Sequence, residues 1–344
     1  MFESLRLAAL GGLLKFPPSI QRALSGPPAT DDGVALDPQH HWLSYLASRF
    51  QADDTPPTHR IPRHRHEHES ASAFLSGPRP TSVRVEERPV PLELRTLTMR
   101  IYRPQHHDGT ALFYLHGGGF VMGSIVGQDG VCASIAEKAR CTVISCSYRL
   151  APEHLFPAAH SDACEAYAWM VANAEEIGID RLRLGIGGDS AGGNLAASVV
   201  NTRRKQSLPL PKVQMLLYPV ADASQEAPSY ELFGEGFFLT QKKMRWFFDR
   251  YIPERAQRTD PRISILLEPD LSGVSPTLIA TAGFDVLRDE GIAYTKRLQA
   301  SGVPVHHLHF PHLTHGSFNF AGRLPAAAQA LDRVSQTLRD IFTA

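Results

Sequence analysis

Hydrophobic and polar positions along the chain follow three successive patterns. Through about residue 78 nothing alternates as a strand would. The apolar spacing there predicts a helix near 3–15, ended by Pro17 and Pro18, and another over "DPQHHWLSYLASRF" (37–50). Between them and the next pattern, "QADDTPPTHRIPRHRHEHES" (51–70) is a polar stretch, and its histidine-rich part "HRIPRHRHEHES" (59–70) reads as a solvated loop. From Thr81 the period shortens to two, so "TSVRVEERPV" and "LELRTLTMRIYRP" predict antiparallel strands joined by a short turn. After these the apolar runs become nearly continuous: "ALFYLHG", "CTVISCSY", "RLRLGIGG", "VQMLLYPV", "PTLIATAG" and "VPVHHLHFP". Helical segments at 127–140, 159–177, 191–205 and 288–301 separate them. That alternation predicts an α/β fold whose parallel sheet is buried on both faces. No internal repeat interrupts it.

Open sheets of this kind bind ligands beyond the carboxyl ends of their strands, so the residues after each apolar run carry the chemistry. "GGDSAGGN" (187–194) follows one such run and opens a helix, which is the context in which G-x-S-x-G exposes a strained serine. Glycines on both sides let strand and helix approach without Cβ clashes. A serine hydroxyl is a poor nucleophile by itself, so Ser190 requires a base and a carboxylate that orients the base. Asp285 follows its strand directly, whereas Asp289 and Glu290 lie a helical turn further on and suit capping or solvation. Among the histidines, His306, His307 and His309 fall inside a strand pattern. His312 and His315 read as loop residues, with His315 favoured because Gly316 permits a turn toward the serine. In "LHGGGF" (115–120), consecutive glycines can aim backbone N–H groups at a developing oxyanion. Gly118, Gly119 and Ala191 are the candidate donors, Gly117 shapes the turn, and His116 anchors the loop.

Composition narrows the partners. Lys plus Arg equals Asp plus Glu at 35 each, so no net field draws the chain to nucleic acid or an anionic membrane, and a small neutral or weakly polar ligand fits better. Four cysteines show neither a CxxC pair nor a secreted-domain framework, which points to free thiols in a reducing, cytoplasmic setting. No apolar run reaches transmembrane length, although Leu7–Leu14 could touch a membrane surface. The histidines of the polar loop, His59, His64, His66 and His68, lack the spacing of a tetrahedral metal site, and no metal is expected. "ELFGEGFFLTQKKMRWFFDRY" (231–251) concentrates aromatic residues that pack a cap or line a pocket.

HGGGF at 116–120, "SYRLAPEHLFPAA" at 147–159, GDSAGGN at 188–194, "DPRIS" at 260–264, "TAGFDVLRDEG" at 281–291 and the His315-Gly316 pair together resemble the hormone-sensitive lipase family, the bacterial family IV esterases. The resemblance spans roughly residues 80–344. It implies an α/β-hydrolase fold, with a mostly parallel eight-stranded sheet, helices on both faces and a helical cap built partly from the N-terminus. The division it implies is a cap segment at 1–78, a catalytic domain at 79–344 and a further cap contribution from about 225–255. It implies hydrolysis of short- to medium-chain carboxylic esters without a cofactor, and it allows a homodimer through a sheet edge. Carried over by position, Ser190 is the nucleophile, Asp285 the acid and His315 the base. Phe120, Asp189, Phe237 and Phe238 are the candidate substrate contacts. Val286, Ile265 and Ser317 depart from the family's usual residues and bear on loop geometry near the acid and base. Rival readings are a dedicated deacetylase or amidase, a lipase acting at an interface, and a non-catalytic receptor on the same fold.

Overall fold

The computed structural model describes residues 2–50 and 55–344. Four helices precede the main sheet: α1 (Phe2–Leu13), α2 (Pro18–Ser25), α3 (Pro38–Phe50) and α4 (Ile61–Ser76). A small antiparallel ladder, β1 (Thr30–Asp31) with β2 (Val34–Ala35), lies between α2 and α3. Helix α4 corrects the expectation of a solvated loop over the histidine-rich stretch; residues 51–54 of the polar stretch before it lie outside the described residues. Pro62 near its start costs no hydrogen bond there, Arg63 pairs with Glu67 one turn on at 2.8 Å, and Gly77 at φ 78 ends it.

The main sheet has eight strands: β3 (Val83–Leu92), β4 (Arg95–Pro104), β5 (Ala111–Leu115), β6 (Thr142–Cys146), β7 (Leu184–Asp189), β8 (Gln214–Leu217), β9 (Thr277–Phe284) and β10 (Val305–Thr314). Their spatial order is β10-β9-β8-β7-β5-β6-β4-β3. β4 is antiparallel to both of its neighbours, and every other adjacent pair is parallel. Every residue of β5 to β9 is buried, which explains their unbroken apolar runs. Successive side chains go to opposite faces. Phe113 and Leu115 join the core formed with α6 (Ala158–Ala172), α8 (Ala191–Lys205) and α11 (Arg288–Ala300). Leu112 and Tyr114 join the opposite core, with α5 (Asp129–Ala139) and α12 (Pro325–Thr343).

The short helix α7 (Ala174–Ile177) extends α6, while α9 (Pro228–Leu232) and α10 (Gln241–Tyr251) lie in the excursion between β8 and β9. The C-terminal α12 has no counterpart in the expectations above. Strand β10 also runs further than expected. Its register with β9 shifts between Phe310 and Thr314, so His312 lies within the strand rather than in a loop, its carbonyl accepting from the Asp37 N–H at 2.9 Å. Among the described residues no helix is long and apolar enough to cross a membrane.

One polar side chain in the α6–α8 contact carries a pH signature. His160 is buried and its Nδ1 meets Ser198 Oγ at 3.0 Å. Burial, helped by the Arg262 charge, lowers its pKa to about 4 from 6.5. Between those values the unfolded chain binds the proton more readily, so the stability linked to a neutral His160 is complete above about pH 6.5 and is lost as pH falls toward 4. Urea unfolding of wild type and His160→Gln is expected to give a stability difference that moves against wild type between pH 7.5 and pH 5, because only wild type titrates there. A pH-independent difference would contradict this.

Candidate active site

From β5 the chain crosses to β6 on one side and then returns to β7 on the other, so the crevice of the sheet opens between the carboxyl ends of β5 and β7. The glycine loop leaves β5 there, and Ser190 leaves β7. Ser190 has φ 56 and ψ −118, a sparsely populated conformation for a side-chain-bearing residue that costs about 1–3 kcal/mol. Backbone bonds hold it. Its N–H donates to the Leu217 carbonyl at 2.8 Å, and its carbonyl accepts from Asn194 at 3.1 Å and Val220 at 3.2 Å. The glycines around it are places of close approach. A Cβ on Gly192 would lie 1.9 Å from the Leu115 carbonyl oxygen, and one on Gly188 would lie 2.4 Å from the same atom.

Downstream, His315 follows β10 and Asp285 follows β9. His315 Nε2 is 3.0 Å from Ser190 Oγ, and His315 Nδ1 is 2.8 Å from Asp285 Oδ2. The second oxygen of Asp285 accepts from the Leu287 N–H at 2.9 Å, which fixes the carboxylate. All three side chains are buried, His315 being 9% exposed. The Tyr218 ring lies 4.7 Å from the imidazole and restricts it from one side. Gly316, at φ 74, makes the turn that brings His315 back over the sheet. Ser317, a departure from the family pattern, ties the same turn: its Oγ donates to the Thr314 carbonyl at 2.5 Å and accepts from the Thr314 N–H at 3.1 Å. Asp289 lies outside the cluster, accepting from the Ser229 N–H at 3.0 Å. Glu290 corrects an expectation: it is buried rather than solvated, and accepts from the Ala221 N–H at 2.6 Å. Burial pushes its pKa well above the usual carboxyl range.

The loop after β5 is pinned from several directions. Tyr148 Oη donates to the His116 carbonyl at 2.6 Å and its ring stacks on the imidazole at 4.3 Å. His116 Nδ1 meets the Gly117 carbonyl oxygen at 2.8 Å, as expected of an anchor. Burial lowers the pKa of His116 to about 4, so the ring is neutral near pH 7. Asp189 accepts from the Gly117 N–H at 2.9 Å and from Tyr114 Oη at 2.8 Å through one oxygen. Burial raises the pKa of Asp189, and those two bonds partly offset the rise. A Cβ on Gly117 would stand 2.3 Å from Asp189 Oδ2, so this glycine is required by close approach rather than by the turn. Gly118 and Gly119 do turn, at φ 116 and 61, and a Cβ on Gly119 would strike the Phe247 ring at 2.2 Å.

A cavity of about 600 Å³ opens over Ser190, His315 and the three glycines. Helices α1, α3 and α4, together with residues 238–247, supply its outer wall. Of the expected substrate contacts, Phe238 and Asp189 line the cavity, whereas Phe120 and Phe237 do not. Phe120 is buried with φ 62 and stacks on Tyr251 at 4.3 Å, because the loop turns its ring away from the cavity. Phe237 packs on Phe233 and Phe284 instead. Phe247, on the same face of α10 as Lys243, is the aromatic that meets the glycine loop. Its place within the aromatic stretch gave no way to single it out.

Other residues had no signal in the sequence. Asn194 Nδ2 donates to the carbonyls of Val220 at 2.9 Å and Ile263 at 2.6 Å, fastening "DPRIS" to the serine turn. Arg65, within the histidine-rich stretch, donates to the carbonyls of Val121 and Ala151, both at 2.7 Å, and pairs with Glu153 through two nitrogens. Among the described residues, no group of three or more His, Cys, Asp or Glu side chains is arranged to hold a metal ion.

Comparisons with known proteins agree with this architecture. A family model described as alpha/beta hydrolase fold matches residues 112–319. The chain is 40% identical over 249 residues to an ethyl acetate hydrolase of Pseudomonas putida, covering 71% of this chain and 78% of that one. It is 38% identical over 311 residues to the carboxylic ester hydrolase LipN of Mycobacterium tuberculosis, covering 88% and 82%. Among solved structures, an ester hydrolase from the metagenome of Lake Arreo, complexed with a bipyridine phosphonate derivative, superposes with a TM-score of 0.85 at 38% identity, covering 90% of this chain and all of that one. A hyperthermophilic esterase from Pyrobaculum calidifontis gives 0.84 at 32% identity, with 90% and 100% covered. With its sheet order, its strand-to-helix serine turn and these matches, the chain belongs to the α/β-hydrolase-fold family, in the hormone-sensitive-lipase group of esterases.

Proposed function

We propose that the protein is a carboxylesterase that cleaves short- to medium-chain carboxylic esters by acyl transfer through Ser190. The observation that carries this reading is the unbroken relay from Ser190 Oγ through His315 to Asp285, at 3.0 and 2.8 Å, on the floor of a largely apolar cavity. The names of similar proteins, an ethyl acetate hydrolase and a carboxylic ester hydrolase, favour the same chemistry.

In this mechanism His315 Nε2 takes the Ser190 proton as the oxygen attacks the ester carbonyl, and Asp285 holds the imidazole in the tautomer that leaves Nε2 free to accept. The carbonyl oxygen gains negative charge and is met by the N–H groups of Gly118, Gly119 and Ala191, which cost no reorganisation because the loop is already pinned. His315 then returns the proton to the leaving alcohol. Water repeats the sequence on the acyl-enzyme, with His315 again taking and returning a proton, and releases the acid. Asp189 acts one step back: it positions the Gly117 end of the donor loop and does not touch the ester. Residues 1–78 and about 225–255 form the cap in this reading, and the remainder is the catalytic unit. The partner is a small ester, and four free thiols suit a reducing cytoplasm.

Hydrolysis of p-nitrophenyl esters from acetate to palmitate is expected to peak at short or medium chains and to fall by at least about 10⁴-fold in Ser190→Ala. An active Ser190→Ala variant, or a rate that peaks at palmitate, would sink the reading. Asp189→Ala is expected to lower kcat by about 10²-fold, the scale of a misplaced oxyanion donor, with KM little changed. A change confined to KM would show that Asp189 contacts substrate instead.

A further inference from the structure

The cavity wall over Ser190 is not uniformly apolar, and the exception lies on one helix face. Helix α4 presents His64, Glu67, His68, Ala71, Ser72 and Leu75 to the cavity, at the spacing of one stripe. The C-terminal end of that stripe joins an apolar group, where Leu75 packs with Leu10, Leu43, Phe238 and Phe320. The N-terminal end is polar. Glu67 is occupied by Arg63 at 2.8 Å, with His64 Nδ1 at 3.7 Å from its other oxygen. His68 is different: its Nδ1 is buried and finds no hydrogen-bond partner in the protein. Lys243, His116 and His64 lie near enough to act on His68 electrostatically. Burial, with a smaller contribution from those groups, lowers its pKa to about 4, so the imidazole is neutral near pH 7. His68 lines the same cavity as Ser190 and the glycine loop that His116 anchors.

A nitrogen that no protein group satisfies is left for whatever occupies the cavity to answer, and in a purely apolar ester pocket a leucine or phenylalanine at this position would serve instead. The polar groups of a ligand site are few and fix orientation. A neutral imidazole offers one donor and one acceptor, and a hydroxyl group can answer either. We propose that His68 is a specificity-determining residue, forming a hydrogen-bonding subsite, and that the preferred esters carry a hydroxyl group near the ester bond as well as a hydrocarbon part for the Leu10–Leu75 end. This rests on the esterase reading and names its substrate class. The hydroxyl belongs to either the acyl or the alcohol portion, and the two sources are separable by experiment.

The test compares kcat/KM for ethyl butyrate, ethyl β-hydroxybutyrate and ethylene glycol monobutyrate in wild type, His68→Phe and His68→Gln, with melting temperatures for each. Wild type is expected to prefer one hydroxylated ester over ethyl butyrate by about tenfold, the scale of one hydrogen bond. The ester that is preferred identifies the side that carries the hydroxyl. His68→Phe is expected to bring the ratio to about one with a melting temperature no lower than wild type, and His68→Gln to keep part of the preference. Equal rates on all three esters in wild type, an undiminished preference in His68→Phe, or a marked loss of stability in that variant would overturn the proposal. Ser190→Ala, run beside them, separates the two levels: the esterase reading fails if it stays active, and the subsite alone fails if plain esters are cleaved through Ser190 without discrimination.

Discussion

The rest of the structure depends on one steric fact, the approach of three backbone segments around the Leu115 carbonyl. That oxygen ends β5, and both Gly188 of β7 and Gly192 of α8 come so near it that a side-chain carbon would overlap. Only this closeness lets a strand turn into a helix within one residue and leave Ser190 in its strained conformation. Strain of this kind persists only where surroundings over-determine it. Here the Leu217 carbonyl at the end of β8, the Val220 N–H just beyond it and the Asn194 N–H in the first turn of α8 do so. The glycine loop leaves β5 from the same place, so a shift of Leu115 would move the serine and the loop together.

How legible was this in the sequence? The parallel strands could be read because each is buried on both faces, and their continuous apolar runs are the direct imprint of that burial. Ser190, Asp285 and His315 could be placed because they stand immediately after three such runs, where an open sheet exposes its chemistry, and the three side chains do meet. The resemblance to known esterases decided between His315 and His312. Local pattern alone put His312 in a loop, since a strand that shifts register near Pro311 no longer looks like one.

What could not be read is whatever depends on contact between distant segments. The histidine-rich stretch looks solvated because its apolar content is low, yet from Ile61 it is helical and one stripe of that helix lines a cavity. Arg65 meets the loop after Phe120, far away in the chain, and nothing in its neighbourhood distinguishes it from Arg63. Phe120 and Phe237 have the residue type of pocket lining, but backbone conformation turns one into the core and neighbouring aromatics claim the other. Residue type indicates what a side chain can do, while its direction is set by contacts that have no sequence period.

Arg65 also divides the cavity wall into unequal parts. Through it α4 is fastened to the carbonyls of Val121 and Ala151 and to Glu153, all on the segments that hold the glycine loop. Helix α1, on the same cavity, lies against α4, and the indole of Trp42 in α3 donates to the Leu13 carbonyl at 3.0 Å. The α4 side of the wall is therefore tied to the same backbone that carries the glycine loop, so a displacement of Arg65 would be felt at the reacting end of the cavity, whereas the α1 side lines the cavity with Leu7, Leu10 and Leu13.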